Sequence, residues 1–212
     1  MRGREAHGHA PERLADVKEW QAARLARTYA DLEADARYAK ATEFFLRDLY
    51  GTKDFSGRDE AMLRIYPVMV RTLPQGAVES AALAIELDAL SEDLDRRVAS
   101  VIAKGPITVE TYAQAYRDAG SREDREHQIG LIGEVGRRMD VLVVKRMMYA
   151  TLKLMRGPAR LAGLDALQSF LERGFEAFRH MGGADEFLAT IESRETSVLN
   201  RIFSGHPDPF SG

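Results

Sequence analysis

Apolar residues recur along this chain at intervals of three, four and seven positions, which is the repeat of an amphipathic α-helix. The strict apolar–polar alternation of β-strands is not found, and neither is an Asn-Gly or Asp-Gly hairpin turn. The pattern therefore predicts an all-α protein. Its three long helices are expected at about residues 12–50, 75–104 and 121–155.

Glycine and proline residues divide the remaining sequence into shorter segments. Besides a loop at 51–57, these segments predict helices at about 58–73, 108–119, 164–182 and 185–203. About seven helices joined by short connections are expected to pack as an elongated antiparallel bundle. We expect a single helical domain at 12–203, between a mobile N-terminal tail at 1–11 and a C-terminal tail at 204–212.

The stretch Met139–Met155 is apolar on more than one face of its predicted helix. A helix that is apolar around most of its circumference is usually surrounded by neighbours, so we expect this one to lie at the centre of the bundle. Its methionines fit an irregular core better than an adaptable binding surface. Just before it, Gly130, Gly133 and Gly136 indicate close helix packing or a local break.

Composition excludes several classes of protein. The 30 lysines and arginines against 33 aspartates and glutamates give a net charge of −3, which makes a dedicated nucleic-acid-binding protein a poor fit. A hydrophobic fraction of 45% excludes a disordered chain, and the lack of cysteine excludes disulfides, thiolate metal sites and a thiol nucleophile. No signal-peptide core and no stretch of roughly 20 apolar residues is present, so we expect a cytoplasmic protein without a membrane partner.

Two acidic residues stand out in the helix predicted at 75–104. They fall between apolar residues on the helical wheel, where an unpaired carboxylate is costly. The segment 130–160 is strongly basic and offers them partners. Either ion pairs join two neighbouring helices, or the charged groups line a polar pocket for a small ligand, or they form a surface for a partner. The predicted ligand-binding residues are Glu79, Glu86, Lys145 and Arg146.

Motifs for catalysis and for cofactor binding are not found. A di-iron bundle requires Glu-x-x-His pairs, and the nearest match is one Asp124-x-x-His127. No P-loop, dinucleotide-binding fingerprint or Gly-x-Ser-x-Gly motif is present. We therefore predict no catalytic residue, no metal site and no cofactor.

The sequence FFLRDLYG at 44–51 is followed by DFSGRD at 54–59. Together with IYP at 65–67 and AIELDALS at 84–91, it resembles an uncharacterised all-helical family of bacterial proteins with an FFLxDLYG…DFSxRD signature. The resemblance covers about residues 40–100. It implies an all-helical fold, and it implies no activity and no catalytic residues.

The long amphipathic helices lead us to expect a non-enzymatic interaction or scaffold protein that self-associates. Binding of a different protein is a further possibility. The alternative is a helical bundle that binds a small, partly apolar ligand in a core pocket near Glu86 and Arg146. A deep apolar pocket beside Glu86 would favour the ligand. A filled core with a large exposed apolar stripe would favour the interaction protein.

Overall fold

The computed structural model describes residues 10–49, 75–161, 163 and 165–211. All regular structure in these ranges is helical, so the predicted all-α helical bundle is confirmed. The loop predicted at 51–57 and the helix predicted at 58–73 lie outside the described residues. The helices are α1 (Ala10–Thr28), α2 (Ala30–Ala34), α3 (Ala39–Phe44), α4 (Gln75–Val101), α5 (Val109–Ala119), α6 (Arg122–Val143), α7 (Arg146–Leu154), α8 (Arg156–Leu161), α9 (Asp165–Met181) and α10 (Asp185–Phe203).

Local capping sets the starts of α5 and α6. Thr108 Oγ1 accepts a hydrogen bond from the Thr111 N–H, and Thr111 Oγ1 accepts one from the Thr108 N–H at 2.8 Å, which forms a capping box. Ser121 Oγ accepts from the Asp124 N–H at 3.0 Å. Such caps satisfy N–H groups that have no partner within the helix. The starts predicted for these two helices are confirmed.

α6 lies at the centre of the described bundle and packs against α4, α9 and α10. Gly136 permits the close approach of α10, because a Cβ at this position would lie 2.3 Å from Leu188 Cδ2. A Cβ at Gly133 would lie 1.5 Å from Glu192 Oε1. The close helix packing expected from the row of glycines is therefore confirmed at these two positions.

The stretch Met139–Met155 is not the centre of the bundle, and that prediction is wrong. Its first residues complete α6, where Leu142 and Val143 are buried. Beyond them the chain lies at the surface, and Met147 and Leu154 are exposed. Periodicity does not distinguish an apolar face that meets a neighbour from one that meets solvent.

The single helix predicted at 12–50 is also wrong, because the structure divides it into α1, α2, α3 and a π-helical turn at Phe45–Leu49. The chain turns at Asp35, whose backbone is extended (φ −78°, ψ 121°) and whose Oδ1 accepts from the Arg37 N–H at 2.7 Å. Arg37 Nε in turn donates to the carbonyl of Met181 at 3.0 Å. Bonds within the turn and to the end of α9 replace the helical ones.

The helix predicted at 121–155 is interrupted before Lys145, whose backbone is extended (φ −82°, ψ 104°). The interruption follows a valine-rich run, whose β-branched side chains lower helix propensity slightly. It directs α7 onto α9, where the rings of Tyr149 and Phe175 stack with centroids 5.4 Å apart. The helices predicted at about 75–104 and 185–203 are confirmed as α4 and α10.

The described part of the FFLxDLYG motif packs on α9. A Cβ at Gly174 would lie 2.7 Å from Phe44 Cζ, so only glycine allows this approach without a shift. Asp48 accepts two bonds from Arg173, from Nη2 at 2.7 Å and from Nε at 3.1 Å. A bidentate pair fixes orientation as well as distance. The motif therefore anchors α3 and the π-helical turn to α9.

Candidate functional site

The predicted carboxylates lie on the outer surface of α4. The Glu79 side chain is 49% exposed and pairs with Arg138 at 3.1 Å, and the Glu86 side chain is 51% exposed and meets His127 Nε2 at 3.0 Å. Both partners belong to α6, so ion pairs do join these neighbouring helices. The expectation that apolar residues enclose the carboxylates is wrong, because the alanines beside them on the wheel are exposed as well.

The predicted cations lie at the start of α7. Lys145 is exposed at the N-cap position, and its side chain makes no capping bond. Arg146 is the first residue of α7, and its side chain lies outside the described part of the structure. Two surface depressions in the described ranges are lined by α10 and by α5 with the segments around it, and neither includes Glu79, Glu86 or Lys145. Ligand binding by the four residues stays a prediction.

A different group of polar side chains from α1, α4, α5, α6 and α10 is buried or nearly buried. Gln21 Nε2 donates both to Asp95 Oδ1 at 3.0 Å and to the Tyr112 hydroxyl at 2.6 Å. Arg24 Nη1 donates to Glu195 Oε1 at 2.6 Å. We call this group the polar cluster, and its members are Gln21, Arg24, Asp95, Tyr112, Arg125, Gln128 and Glu195.

Arg125 is the most deeply buried cation of the polar cluster, with 3% of its surface exposed. Its Nη1 donates to Gln128 Oε1 at 3.1 Å, and its Cζ lies 4.1 Å from the centroid of the Tyr116 ring. Its Nε and Nη2 have no hydrogen-bond partner among the described residues. An arginine keeps its charge when buried, so Asp95 and the Tyr116 ring have to compensate it.

Burial raises the pKa of Asp95 from 3.8 to about 6, and the charge of Arg125 and the hydrogen bond from Gln21 offset part of that rise. Burial also raises the pKa of Tyr112, which keeps its hydroxyl protonated. A carboxyl group that titrates close to neutral pH is common at functional sites, and structural networks produce it too. Neither depression is lined by a member of the polar cluster, so we interpret the cluster as polar packing between helices.

The surface of α7 and α8 shows the opposite arrangement. Met147, Leu154 and Leu161 expose 82%, 78% and 92% of their surface. They are spaced by seven residues, and bonds from residue i to i−4 continue across the junction of the two helices. The three side chains therefore follow one line along the helices, which we call the apolar stripe.

The margin of the apolar stripe is basic. Residues 141–161 contain five lysines and arginines and no aspartate or glutamate. Arg156 Nε donates to Glu172 Oε1 on α9 at 2.6 Å. Among the described residues, no carboxylate pairs with Lys145 or Arg160. The arrangement is suited to contact with a surface that is both apolar and acidic.

Periodicity alone predicts neither the polar cluster nor the apolar stripe, although each has a signal in the sequence. Gln21 interrupts the apolar row of the first helix, which indicates a polar group inside the core. Met147, Leu154 and Leu161 repeat at intervals of seven in a segment without acidic residues. A seven-residue repeat with charged margins is typical of a helix that contacts a partner helix.

Within the described ranges, no three histidine, aspartate or glutamate side chains come close enough together to hold a metal ion. None of the described helices combines the length and the apolar composition that crossing a membrane requires.

The model of one protein family, described as Domain of unknown function (DUF8198), matches residues 1–209. The chain belongs to this family. The match agrees with the expected membership of an uncharacterised family, while the FFLxDLYG…DFSxRD signature and a bacterial source stay predictions. No curated protein and no solved structure matches the chain.

Proposed function

We propose that this protein is a non-enzymatic interaction protein and that the apolar stripe is its docking surface. The observation that carries the proposal is the exposure of the stripe, since Met147, Leu154 and Leu161 each leave more than three quarters of their surface in water. Burying a side chain of this size stabilises an assembly by about 1.5–3 kcal/mol. Three such side chains on one line therefore favour association with a second surface that covers them.

The arrangement of the stripe supports docking more than its composition does. Single exposed apolar residues are ordinary on protein surfaces, whereas contiguous ones mark interaction sites. Here the apolar line is bordered by charged residues, as the core of an interface is bordered by a polar rim. Binding of a small ligand beside Glu86 has less support, because this side chain is half exposed and already meets His127.

The experiment replaces the stripe by polar residues of similar size. The variant Met147→Gln/Leu154→Gln/Leu161→Gln and the unchanged chain are each expressed in the protein's own host, and their native masses in the extract are compared by size-exclusion chromatography. We expect the unchanged chain to elute in a larger assembly and the variant to elute as a monomer.

The matched control is Val101→Gln, because Val101 is a half-exposed apolar residue outside the stripe. It should elute with the unchanged chain, and all three proteins should melt at similar temperatures. Equal native masses for the unchanged chain and the triple variant would contradict the proposal.

A further inference from the structure

The outer surface of α4 is acidic, whereas the margin of the apolar stripe is basic. Residues 75–95 contain six aspartates and glutamates and no lysine or arginine. Acidic side chains on the exposed face repeat every seven residues, and small alanines are exposed between them. We call this line the acidic row, and its members are Glu79, Ala82, Glu86, Ala89 and Asp93.

The acidic row matches the apolar stripe in spacing and in length. The acidic side chains of the row and the apolar side chains of the stripe both advance by seven residues. At 1.5 Å per residue, each line is about 21 Å long. Exposed alanines separate the acidic side chains of the row and leave room for larger side chains, and the stripe carries large apolar side chains at the same seven-residue interval. The two lines therefore match in spacing as well as in charge.

The carboxylates of the row remain able to bind a second cation. Glu79 pairs with Arg138, Glu86 with His127 and Asp93 with Arg97, and in all three pairs each side chain is at least one third exposed. Exposed pairs of this kind contribute little to stability, and a carboxylate accepts more than one hydrogen bond. The intramolecular pairs thus do not prevent contact with a basic surface of another molecule.

We infer that the occupant of the apolar stripe is a second copy of this chain, which presents its acidic row. This inference rests on the proposed function, because it names the partner for the same docking surface. The lysines and arginines at the margin of the stripe face Glu79, Glu86 and Asp93 of the second copy. Pairing two stripes about a two-fold axis would instead bring two basic margins together, which like-charge repulsion opposes.

The resulting contact is head-to-tail, because each copy uses a different surface. Until the assembly closes, the copy at one end keeps an unoccupied stripe and the copy at the other end keeps an unoccupied row. Such an interface produces a ring when the rotation between copies closes and an open chain when it does not. The protein therefore assembles into an oligomer with repeated identical contacts, as a scaffold requires.

The first experiment reverses the charge of each surface separately. One variant is Lys153→Glu/Arg160→Glu on the stripe margin, and the other is Glu79→Lys/Glu86→Lys on the acidic row. Sedimentation of the full-length purified proteins is measured over a range of concentrations and salt. The unchanged chain should assemble and should do so more weakly in high salt. Each variant alone should associate at least tenfold more weakly, and their equimolar mixture should recover assembly.

Recovery of assemblies larger than a dimer shows that both variants are folded and that the reversed charges meet, since the unchanged stripe of one variant and the unchanged row of the other supply only one contact per pair. Matched controls carry the same changes elsewhere on the exposed surface, in Lys40→Glu/Lys104→Glu and Glu33→Lys/Glu123→Lys. They should assemble like the unchanged chain. A monomeric unchanged chain at every concentration, or a mixture that forms nothing larger than a dimer, would overturn the inference.

The second experiment separates this inference from the proposed function. A photo-crosslinking amino acid replaces Leu154 in the protein within its own host, and the adducts are identified by mass spectrometry, with Val101 as the control position. Adducts to α4 of another copy support the inference. Adducts to a different protein overturn it and leave the proposed function standing. Adducts to lipid, or no adducts above those of the control, overturn both.

Discussion

Charged side chains lie inside this protein in the polar cluster, where α1, α4, α6 and α10 contribute them, and large apolar side chains lie outside it along α7 and α8. In the cluster, Arg24 is bonded to Glu195, and Gln21 is bonded to both Asp95 and Tyr112. In the stripe, Leu161 exposes 92% of its surface. Both regions depart from the usual distribution of polar and apolar groups, in opposite directions.

The two regions differ in how the cost of the unusual placement is offset. The desolvation cost of a buried charge is offset when another group in the same chain pairs with it, and such bonds also limit the ways in which the helices can pack. Exposed apolar groups find no such compensation inside the chain and gain only when a second surface covers them. The polar cluster should therefore govern stability, while the apolar stripe should govern association.

The largest effect is expected from breaking the buried ion pair of the cluster. Arg24→Met leaves the Glu195 carboxylate without its cation, although the Tyr29 hydroxyl still donates to it at 2.8 Å. Removing one partner of a buried pair costs about 3–5 kcal/mol, so the free energy of unfolding in urea should fall by that amount. Arg47→Met breaks an exposed pair with Glu43 and should cost less than about 1 kcal/mol. Equal losses for the two variants would show that the cluster does not govern stability.

The next effect is a pH dependence that comes from Asp95. Its pKa is raised on folding from 3.8 to about 6, so its contribution is fully present below pH 3.8 and is lost as the pH rises through about 6. The loss amounts to about 3 kcal/mol. Raising the pH from 4 to 7 should therefore lower the free energy of unfolding of the unchanged chain by about that amount relative to Asp95→Asn, which has no carboxyl group to titrate at this position. Parallel pH profiles for the two proteins would contradict the buried titration.

A smaller effect is expected at the C-terminal tail, which packs beside the cluster. The Phe210 ring lies 5.4 Å from that of Trp20 and 6.0 Å from that of Tyr112, measured between centroids. Phe210→Ala should lower the free energy of unfolding by about 1–2 kcal/mol and should shift the fluorescence of Trp20, which is the single tryptophan of the chain. Pro207→Ala, at an exposed position of the same tail, is the control, and an unshifted spectrum for Phe210→Ala would exclude the contact.

The smallest effect on stability is expected in the apolar stripe. Leu154→Ala should change the free energy of unfolding by less than about 0.5 kcal/mol, because its side chain is 78% exposed. The same substitution at the fully buried Leu199 should cost about 2–5 kcal/mol. A comparable loss at both positions would mean that Leu154 packs within its own chain.

Much of the helical pattern is predictable from the sequence, and the candidate site is not. The starts of α5 and α6 depend on capping residues that are close in sequence. The close packing at Gly136 depends on the absence of a side chain at that position. The turn at Asp35 depends on Arg37 reaching Met181 at the end of α9, which no local pattern shows. The apolar stripe likewise resembles a core segment until its neighbours are known.

The sequence by itself determined the helical class, the positions of α4 and α10, and the segregation of basic and acidic residues into separate segments. These follow from local propensity, capping and charge, which act between residues close in the chain. Only the tertiary structure decided that Asp95 is buried beside Gln21 and that Met147 meets solvent. Burial depends on which distant segments pack together, and the same amphipathic helix serves as core or as surface according to the neighbours it meets.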